Sequence, residues 1–166
     1  AGLSGQDRDT FSVNVWQNHT FQSLIPLIDA YYVNQWRRPL FRLSEFDDSV
    51  SLSSWAESDL EILWLDSDRY LSTMEFADWV RWLMGRVMAL RARSATPVII
   101  AIWLSNSSQW AELTSHFESV PSVFFADLAR EAEAFDEPFL DRRLVEVSGS
   151  PLSSQCQVLT SRKLAC

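Results

Sequence analysis

The amino-acid sequence predicts an α/β fold, a three-layer α/β/α sandwich around a mainly parallel sheet of five strands. Two observations predict it. Segments rich in β-branched and aromatic residues alternate along the chain with segments whose apolar residues recur at helical spacing. The two central strand-like segments are almost wholly apolar, which is typical of strands that helices cover on both faces.

The first half of the chain predicts three strands and one helix. Residues 11–16 (FSVNVW) form the first strand, and the apolar residues between Leu24 and Tyr31 recur at the spacing of a helix. Residues 39–46 alternate in polarity and form a second strand, which we expect at an edge of the sheet because it begins with a proline. The apolar run at residues 60–66 (LEILWLD) predicts a buried central strand.

Cap patterns predict where three later helices begin. Ser72 and Glu75 have the spacing of a capping box ahead of a long apolar stripe. Ser107 stands as a cap before a second stripe. Ser150 followed by Pro151 places a cap and a first-turn proline before the last helix.

Two further strands lie between these helices. Residues 97–104 (PVIIAIWL) form a second buried strand, and residues 122–125 (SVFF) form a shorter one. An acidic helical stretch follows at residues 127–135. With these elements the prediction contains five strands, each followed by helical or loop sequence.

Length and charge exclude several classes of protein. No repeat or linker interrupts the 166 residues, so we expect one domain over residues 1–166, either a stand-alone protein or the N-terminal part of a longer one. The 14 basic and 22 acidic residues give a net charge of −8, which disfavours nucleic acid and anionic lipid as partners.

Hydropathy and cysteine content predict the cellular location of the protein. The longest wholly apolar run, residues 98–104, is too short to span a bilayer, and we expect a soluble chain without a signal peptide. Cys156 and Cys166 have no Cys or His neighbours at metal spacing. We therefore expect reduced thiols, a cytoplasmic protein, and neither metal nor cofactor. The eight tryptophans are expected mainly in the core.

Polar segments follow three of the predicted strands. In parallel α/β sheets, ligands bind beyond the carboxyl ends of the strands. The segments at residues 17–20, 66–69 and 105–106 are therefore expected to meet on one rim. The candidate ligand-binding residues in them are Asn18, Thr20, Arg69, Ser105 and Asn106.

Asp66 and Asp68 follow the central strand with the spacing D-x-D. Phosphatases of the haloacid dehalogenase class use this spacing to set a nucleophilic aspartate beside an acid/base aspartate with magnesium, which makes both residues candidate catalytic groups. Arg69 and Tyr70 follow the second aspartate where that class has a small hydroxyl residue, and no later acidic pair completes a magnesium site. The competing interpretation is that the aspartates cap the next helix or pair with Arg69.

His19 follows the first strand, where a general base or a nucleophile can stand, and it is the third candidate catalytic residue. The competing interpretation is a structural hydrogen-bonding role. His116 falls off the apolar face of its helix and is expected in solvent. The sequence contains none of the common hydrolase and nucleotide signatures GxSxG, GxGxxG and the P-loop.

Three blocks of sequence carry a family resemblance. They are VNVWQNHTFQSLIPLIDAYY, DDSVSLSSWAESDLEILWLDSDRY and LDRRLVEVSGSPLSSQCQVLTSRKLA. On these blocks the chain resembles the N-terminal domain of FkbH-like proteins of the haloacid dehalogenase superfamily, a domain that is similar to SGNH (GDSL) hydrolases. The resemblance implies a flavodoxin-like sandwich and, in a whole protein, a following haloacid dehalogenase-type domain. It also implies that the whole protein makes a glyceryl unit or loads it on an acyl carrier protein in polyketide or polysaccharide biosynthesis.

At the catalytic positions the chain departs from the family that it resembles. The Gly-Asp-Ser motif of SGNH hydrolases aligns with residues 17–19, so His19 stands in the place of the serine. The closing Asp-x-x-His-Pro motif aligns with residues 147–151, which leaves Val147 and Ser150 in place of the aspartate and the histidine. The usual acyl transfer needs an activated hydroxyl, a base and an orienting carboxylate, so we do not expect it here.

Three functions follow from the sequence. The first is an SGNH-like module without Ser-His-Asp chemistry that positions an acyl, glyceryl or carrier-linked group, or docks a partner domain. The second is an enzyme, either an esterase or acyltransferase with His19 as base, or a magnesium-dependent phosphatase that uses Asp66 and Asp68. The third is an interaction domain whose exposed tryptophans form the contact.

Overall fold

The computed structural model describes residues 9–46, 52–104, 106–133, 140–141, 143–144, 146 and 149–165. Its five strands are β1 (Asp9–Gln17), β2 (Arg37–Leu43), β3 (Leu60–Trp64), β4 (Val98–Ile102) and β5 (Val123–Asp127). All neighbouring strands are parallel, and their order across the sheet is β2-β1-β3-β4-β5. This is the flavodoxin-type order. The predicted α/β class and the parallel sheet are confirmed.

The described α-helices lie on both faces of the sheet. They are α1 (Ile25–Tyr31), α2 (Ser67–Leu71), α3 (Phe76–Arg91), α4 (Ser107–Phe117), α5 (Leu128–Ala132) and α6 (Ser154–Ala165). Buried side chains of α3 and α4 pack on one face, and those of α1, α5 and α6 pack on the other. None of the helices in the described ranges is both long and apolar enough to cross a bilayer.

The two cores arise from the period-2 alternation of the strands. Along β3, Ile62 and Trp64 point into the core shared with α1 and α6, whereas Leu63 points into the core shared with α3. Most tryptophans are buried or half-buried, as predicted, and Trp36 is the exposed exception at 71%. Cys156 of α6 is a buried free thiol, while Cys166 lies outside the described residues.

The predicted helix starts are wrong by one to three residues. Helix α3 begins after Glu75 without a side-chain cap, because the short helix α2 intervenes and Ser72 is used to end it. Helix α4 is capped by Asn106 instead of Ser107. Helix α6 begins only at Ser154, so Ser150 has another role.

The bounds of the two outer strands also differ from the predicted ones. Strand β2 lies at an edge, as predicted, but covers residues 37–43 instead of 39–46. Strand β5 extends to Asp127, whose Oδ1 accepts the Arg130 N–H (3.0 Å) and so caps α5. The predicted helix at residues 127–135 is therefore a shorter one, and residues 134 and 135 lie outside the described ranges.

Candidate functional site

Two of the three predicted loops meet at the carboxyl ends of β1 and β3. Asn18 donates from Nδ2 to the Asp66 carbonyl (3.1 Å), and its Oδ1 accepts the Asp66 N–H (2.7 Å). This is the switch point of the sheet, where the chain leaves β1 to one side for β2 and returns on the other side as β3. Ligands of such folds bind there. We call residues 17–20 and 66–69, with Gly149 and Ser150, the rim.

The third predicted loop, at residues 105–106, has a smaller part in this site. Ser105 lies outside the described residues. The exposed Asn106 follows β4 at the same edge, and its Oδ1 accepts from the N–H and the hydroxyl of Ser108 (2.9 and 2.7 Å). Its side chain therefore serves as the cap of α4, and ligand binding by Asn106 stays a prediction.

Asp66 has the capping role that was the competing interpretation for the aspartates. Its side chain is 3% exposed, and Oδ1 accepts the Asp68 N–H (3.1 Å) at the start of α2. Next to it, the buried Ser67 hydroxyl donates to the Trp103 carbonyl, which ties this loop to the end of β4. Within the described residues, no group of three or more His, Cys, Asp or Glu side chains is arranged to hold a metal.

Arg69 crosses the rim. Its guanidinium donates to the Asn18 carbonyl, so the loop after β3 is bonded to the loop after β1 by a side chain as well as by Asn18 itself. Arg69 is exposed, and it is the positive charge that acts on the neighbouring His19.

His19 is buried between two tryptophans. Its ring stacks on Trp64 (4.6 Å between centroids, 28° between planes) and meets Trp103 edge-on (5.0 Å, 78°). Burial first, and the charge of Arg69 second, lower the pKa of His19 from 6.5 to about 3. The imidazole is therefore neutral at physiological pH, and its low proton affinity makes it a weak general base.

Gly149 and Ser150 belong to the rim, although sequence reasoning assigned Ser150 to a helix cap. The Ser150 hydroxyl lies 3.4 Å from Nδ1 of His19, and the Gly149 carbonyl accepts the Thr20 N–H (3.0 Å). Gly149 has φ +70°, and a Cβ on it would lie 2.3 Å from Thr20 Oγ1, so glycine is required there. The available signal for Ser150 was its alignment with the catalytic histidine of SGNH hydrolases.

His19 and Ser150 are the two residue types that acyl-transfer enzymes use as base and nucleophile. Both side chains are buried, with 3% and 1% exposure. In the described part of the chain, no carboxylate is hydrogen-bonded to His19, and residue 147 lies outside that part. The arrangement therefore presents no exposed nucleophile and no oriented base.

An open cleft lies beside the rim, at the carboxyl ends of β1 and β2. Its volume is about 550 Å³, and its lining residues are Gln17, Thr20, Gln22, Leu43, Ser44, Glu45 and Phe46. The side chain of Gln17 is used internally, because Nε2 donates to the Ser44 carbonyl (2.8 Å) and Oε1 accepts the Phe21 N–H (3.0 Å). The rest of the lining is polar at Thr20, Ser44 and the exposed Gln22 and Glu45, and apolar at Leu43 and Phe46.

Comparisons with known proteins show the fold. No protein-family model matches the chain, and no curated protein matches it in sequence. Among solved structures it is similar to the N-terminal part of the protein BF1531 from Bacteroides fragilis, described as containing a phosphatase domain and complexed with Mg. The TM-score is 0.72 at 13% sequence identity, over 96% of this chain and 52% of that one. This chain thus has the α/β fold of a protein of which it spans about half.

Proposed function

We propose that the chain is an SGNH-like module that binds and positions an acyl, glyceryl or carrier-linked group without Ser-His-Asp chemistry. The observation that carries this proposal is the buried pair of His19 and Ser150, which stand in exchanged positions relative to SGNH hydrolases. A histidine whose pKa is about 3 and a serine that is 1% exposed cannot supply base and nucleophile to a substrate in solvent.

The cleft beside Thr20 supports the ligand class. Its volume lies within the range of small-molecule pockets. Leu43 and the 57% exposed Phe46 offer apolar surface to an acyl chain. Thr20 and Gln22 add polar residues to the lining, which suit a hydroxyl or carbonyl of the head group. An acyl or glyceryl unit has both parts.

The partner in this proposal is an acyl carrier protein or a covalently following haloacid dehalogenase-type domain. Two points support it. The sequence resembles the N-terminal domain of FkbH-like proteins, and the matching solved structure is about twice as long as the matched region and is described as containing a phosphatase domain. The carrier would deliver the group, and this module would hold it for the partner.

Two measurements test the proposal. The purified chain should not hydrolyse p-nitrophenyl acetate above the buffer rate, and Ser150→Ala should leave that rate unchanged. Turnover that Ser150→Ala or His19→Phe abolishes would instead establish an esterase.

Binding provides the positive test. We expect hexanoyl-pantetheine, a soluble stand-in for an acyl carrier group, to bind the chain in calorimetry. Phe46→Ala should weaken binding about tenfold, because it removes one large apolar contact. Phe124→Ala is the matched control, since Phe124 on β5 has the same 57% exposure and lies at the other end of the sheet. Equal loss in both variants, or no binding by the parent chain, would contradict the proposal.

The magnesium phosphatase is the second candidate, favoured by Asp66 and Asp68 at the carboxyl end of β3 and by the description of the matching structure. The described residues do not fit the metal site of that class, because Asp66 caps α2 and no three metal-ligating side chains cluster. Magnesium-dependent phosphate release that Asp66→Asn abolishes would establish this candidate over the first.

A further inference from the structure

One polar atom of the rim is buried and has no hydrogen-bond partner among the described residues. It is Nε2 of His19. Leaving a buried polar atom unpaired costs about 1–3 kcal/mol, and the large majority of such atoms in proteins are paired. The atom lies at the switch point of the sheet, where α/β folds bind their ligands.

The contact between Ser150 and Nδ1 of His19 bears on which ring nitrogen carries the proton. The Ser150 Oγ already accepts the Leu152 N–H (3.4 Å), and it lies 3.4 Å from Nδ1 of His19. A hydroxyl has one hydrogen, and when that hydrogen is donated to Nδ1, the single proton of a neutral imidazole is on Nε2. Trp64 and Trp103 hold the ring in place, so that Nε2–H keeps one direction.

We propose that His19 is a neutral hydrogen-bond donor, whose Nε2–H binds the carbonyl oxygen of an acyl ligand while Ser150 fixes the tautomer at Nδ1. This inference rests on the proposed function and names the atom that forms the hydrogen bond to the ligand. Thr20, the next residue in the chain, lines the cleft in which the acyl body would lie.

The surroundings favour a carbonyl oxygen over other groups. An ionised ligand atom would lose its hydration against two tryptophan rings, which is costly, whereas a carbonyl loses little. The positive charge of Arg69, close enough to act on His19, favours the partial negative charge of a carbonyl oxygen. The N–H of a ligand amine would face the Nε2–H of His19, so that two donors meet without an acceptor, and we expect amines not to bind.

Entry to His19 requires a neighbour to move, since the residue is 3% exposed. Arg69 is the exposed side chain that bridges the rim to the Asn18 carbonyl.

Nitrogen-15 NMR on the unmodified chain tests the tautomer without any substitution. The two-bond proton–nitrogen spectrum should show His19 with its proton on Nε2 between pH 5 and 8. Adding S-acetyl-N-acetylcysteamine, a small thioester, should shift the Nε2 proton in a saturable way, while the exposed His116 should not respond. A proton on Nδ1, or an Nε2 proton that the bound thioester leaves unmoved, would overturn the inference.

Two variants separate this inference from the proposed function. His19→Gln keeps an N–H near the position of Nε2 and should bind the thioester within about threefold of the parent, whereas His19→Phe keeps the ring packing and should bind about tenfold more weakly. His116→Phe is the matched control, and circular dichroism of each variant confirms the fold. Unchanged binding in His19→Phe would overturn the role of His19 and leave the proposed function standing. Absence of binding in the parent would overturn both.

Discussion

Two buried titratable side chains lie in neighbouring parts of the sheet and differ in how completely they are hydrogen-bonded. Glu61 of β3 is 1% exposed, and His19 at the rim is 3% exposed. The carboxylate of Glu61 accepts four bonds, from Trp16 Nε1 (2.6 Å), Ser58 Oγ (2.9 Å), Asn14 Nδ2 (3.1 Å) and Trp55 Nε1 (3.1 Å). His19 has one long contact at 3.4 Å.

The difference separates a side chain with a structural role, Glu61, from one that we propose as a binding group, His19. The four donors to Glu61 come from β1 and from residues 55–58, so the carboxylate joins the loop before β3 to the sheet. A completely satisfied buried network of this kind makes the local structure rigid. Nε2 of His19 has no partner among the described residues, and it is the atom to which our proposal assigns the hydrogen bond to a ligand.

The largest expected effect is on the Glu61 network. Glu61→Gln replaces an acceptor with an amide N–H₂ that faces several donors, so we expect a loss of about 4 kcal/mol in the free energy of unfolding. Urea unfolding measures it. Glu57→Gln, at an exposed position of the same loop, is the matched control and should change stability by less than about 0.5 kcal/mol. Similar small losses in both variants would show that the network is not structural.

The second largest expected effect is the contribution of His19 to the pH dependence of the free energy of unfolding. The unfolded chain takes up this proton near pH 6.5, while the folded chain takes it up near pH 3, so protons favour the unfolded state between these values. The contribution is fully present above pH 6.5 and falls as the pH is lowered. At pH 4.5 it should have fallen by about 3 kcal/mol.

The pH dependence is measured as a difference between proteins. Urea unfolding of the parent and of His19→Phe from pH 8 to pH 4.5 isolates this contribution, because the carboxylates titrate in both. His116→Phe should retain the slope of the parent. A parent and a His19→Phe variant with parallel stability profiles would contradict the burial of a neutral imidazole at the rim.

A smaller effect is expected where Gly149 meets Thr20. Gly149→Ala forces a side chain into the left-handed region and toward Thr20 Oγ1, which should cost about 2 kcal/mol in unfolding free energy. Adding Thr20→Ala should recover the part due to the close contact and leave the backbone part. If Gly149→Ala is neutral, the rim does not have the close approach that the structure shows.

The smallest expected effect has the opposite sign. Gly85 lies exposed within α3, and a Cβ on it would meet no atom within 4 Å. Gly85→Ala should therefore stabilise the protein by about 0.8 kcal/mol through helix propensity. Thermal unfolding measures it, and it serves as the reference for a backbone change away from both His19 and Glu61. A loss of stability would mean that α3 is not a regular helix at this residue.

The arrangement of the sheet was predictable because its signals are local. The apolar runs of β3 and β4 predict strands covered on both faces, and a parallel sheet follows from strands that alternate with helices. The same reasoning places the ends of β1 and β3 together, and Asn18 and Asp66 are indeed bonded there. Polar residues after buried strands thus located the segments at residues 17–20 and 66–69, but not Gly149 and Ser150, which complete the rim.

The helix starts and the partners of His19 were less predictable. Ser72 has the spacing of a capping box, yet it is the C-cap of α2. Asp66, which follows β3, caps the start of α2, so the chain is already helical before Ser72. Ser150 reaches His19 from 131 residues away in the sequence. Neither the early start of α2 nor the contact between Ser150 and His19 produces a periodic pattern in the sequence. The resemblance to SGNH hydrolases, in which Ser150 aligns with the catalytic histidine, was therefore the one indication for Ser150.

The amino-acid sequence by itself determined the α/β class, the alternation of elements and the position of the rim, because hydrophobic periodicity acts over a few neighbouring residues. Only the tertiary structure decided that His19 is buried between Trp64 and Trp103, that Glu61 is completely bonded, and that Nε2 of His19 is not paired within the described residues. Burial and hydrogen-bond satisfaction depend on contacts between residues far apart in the chain, and these exist only after the layers pack.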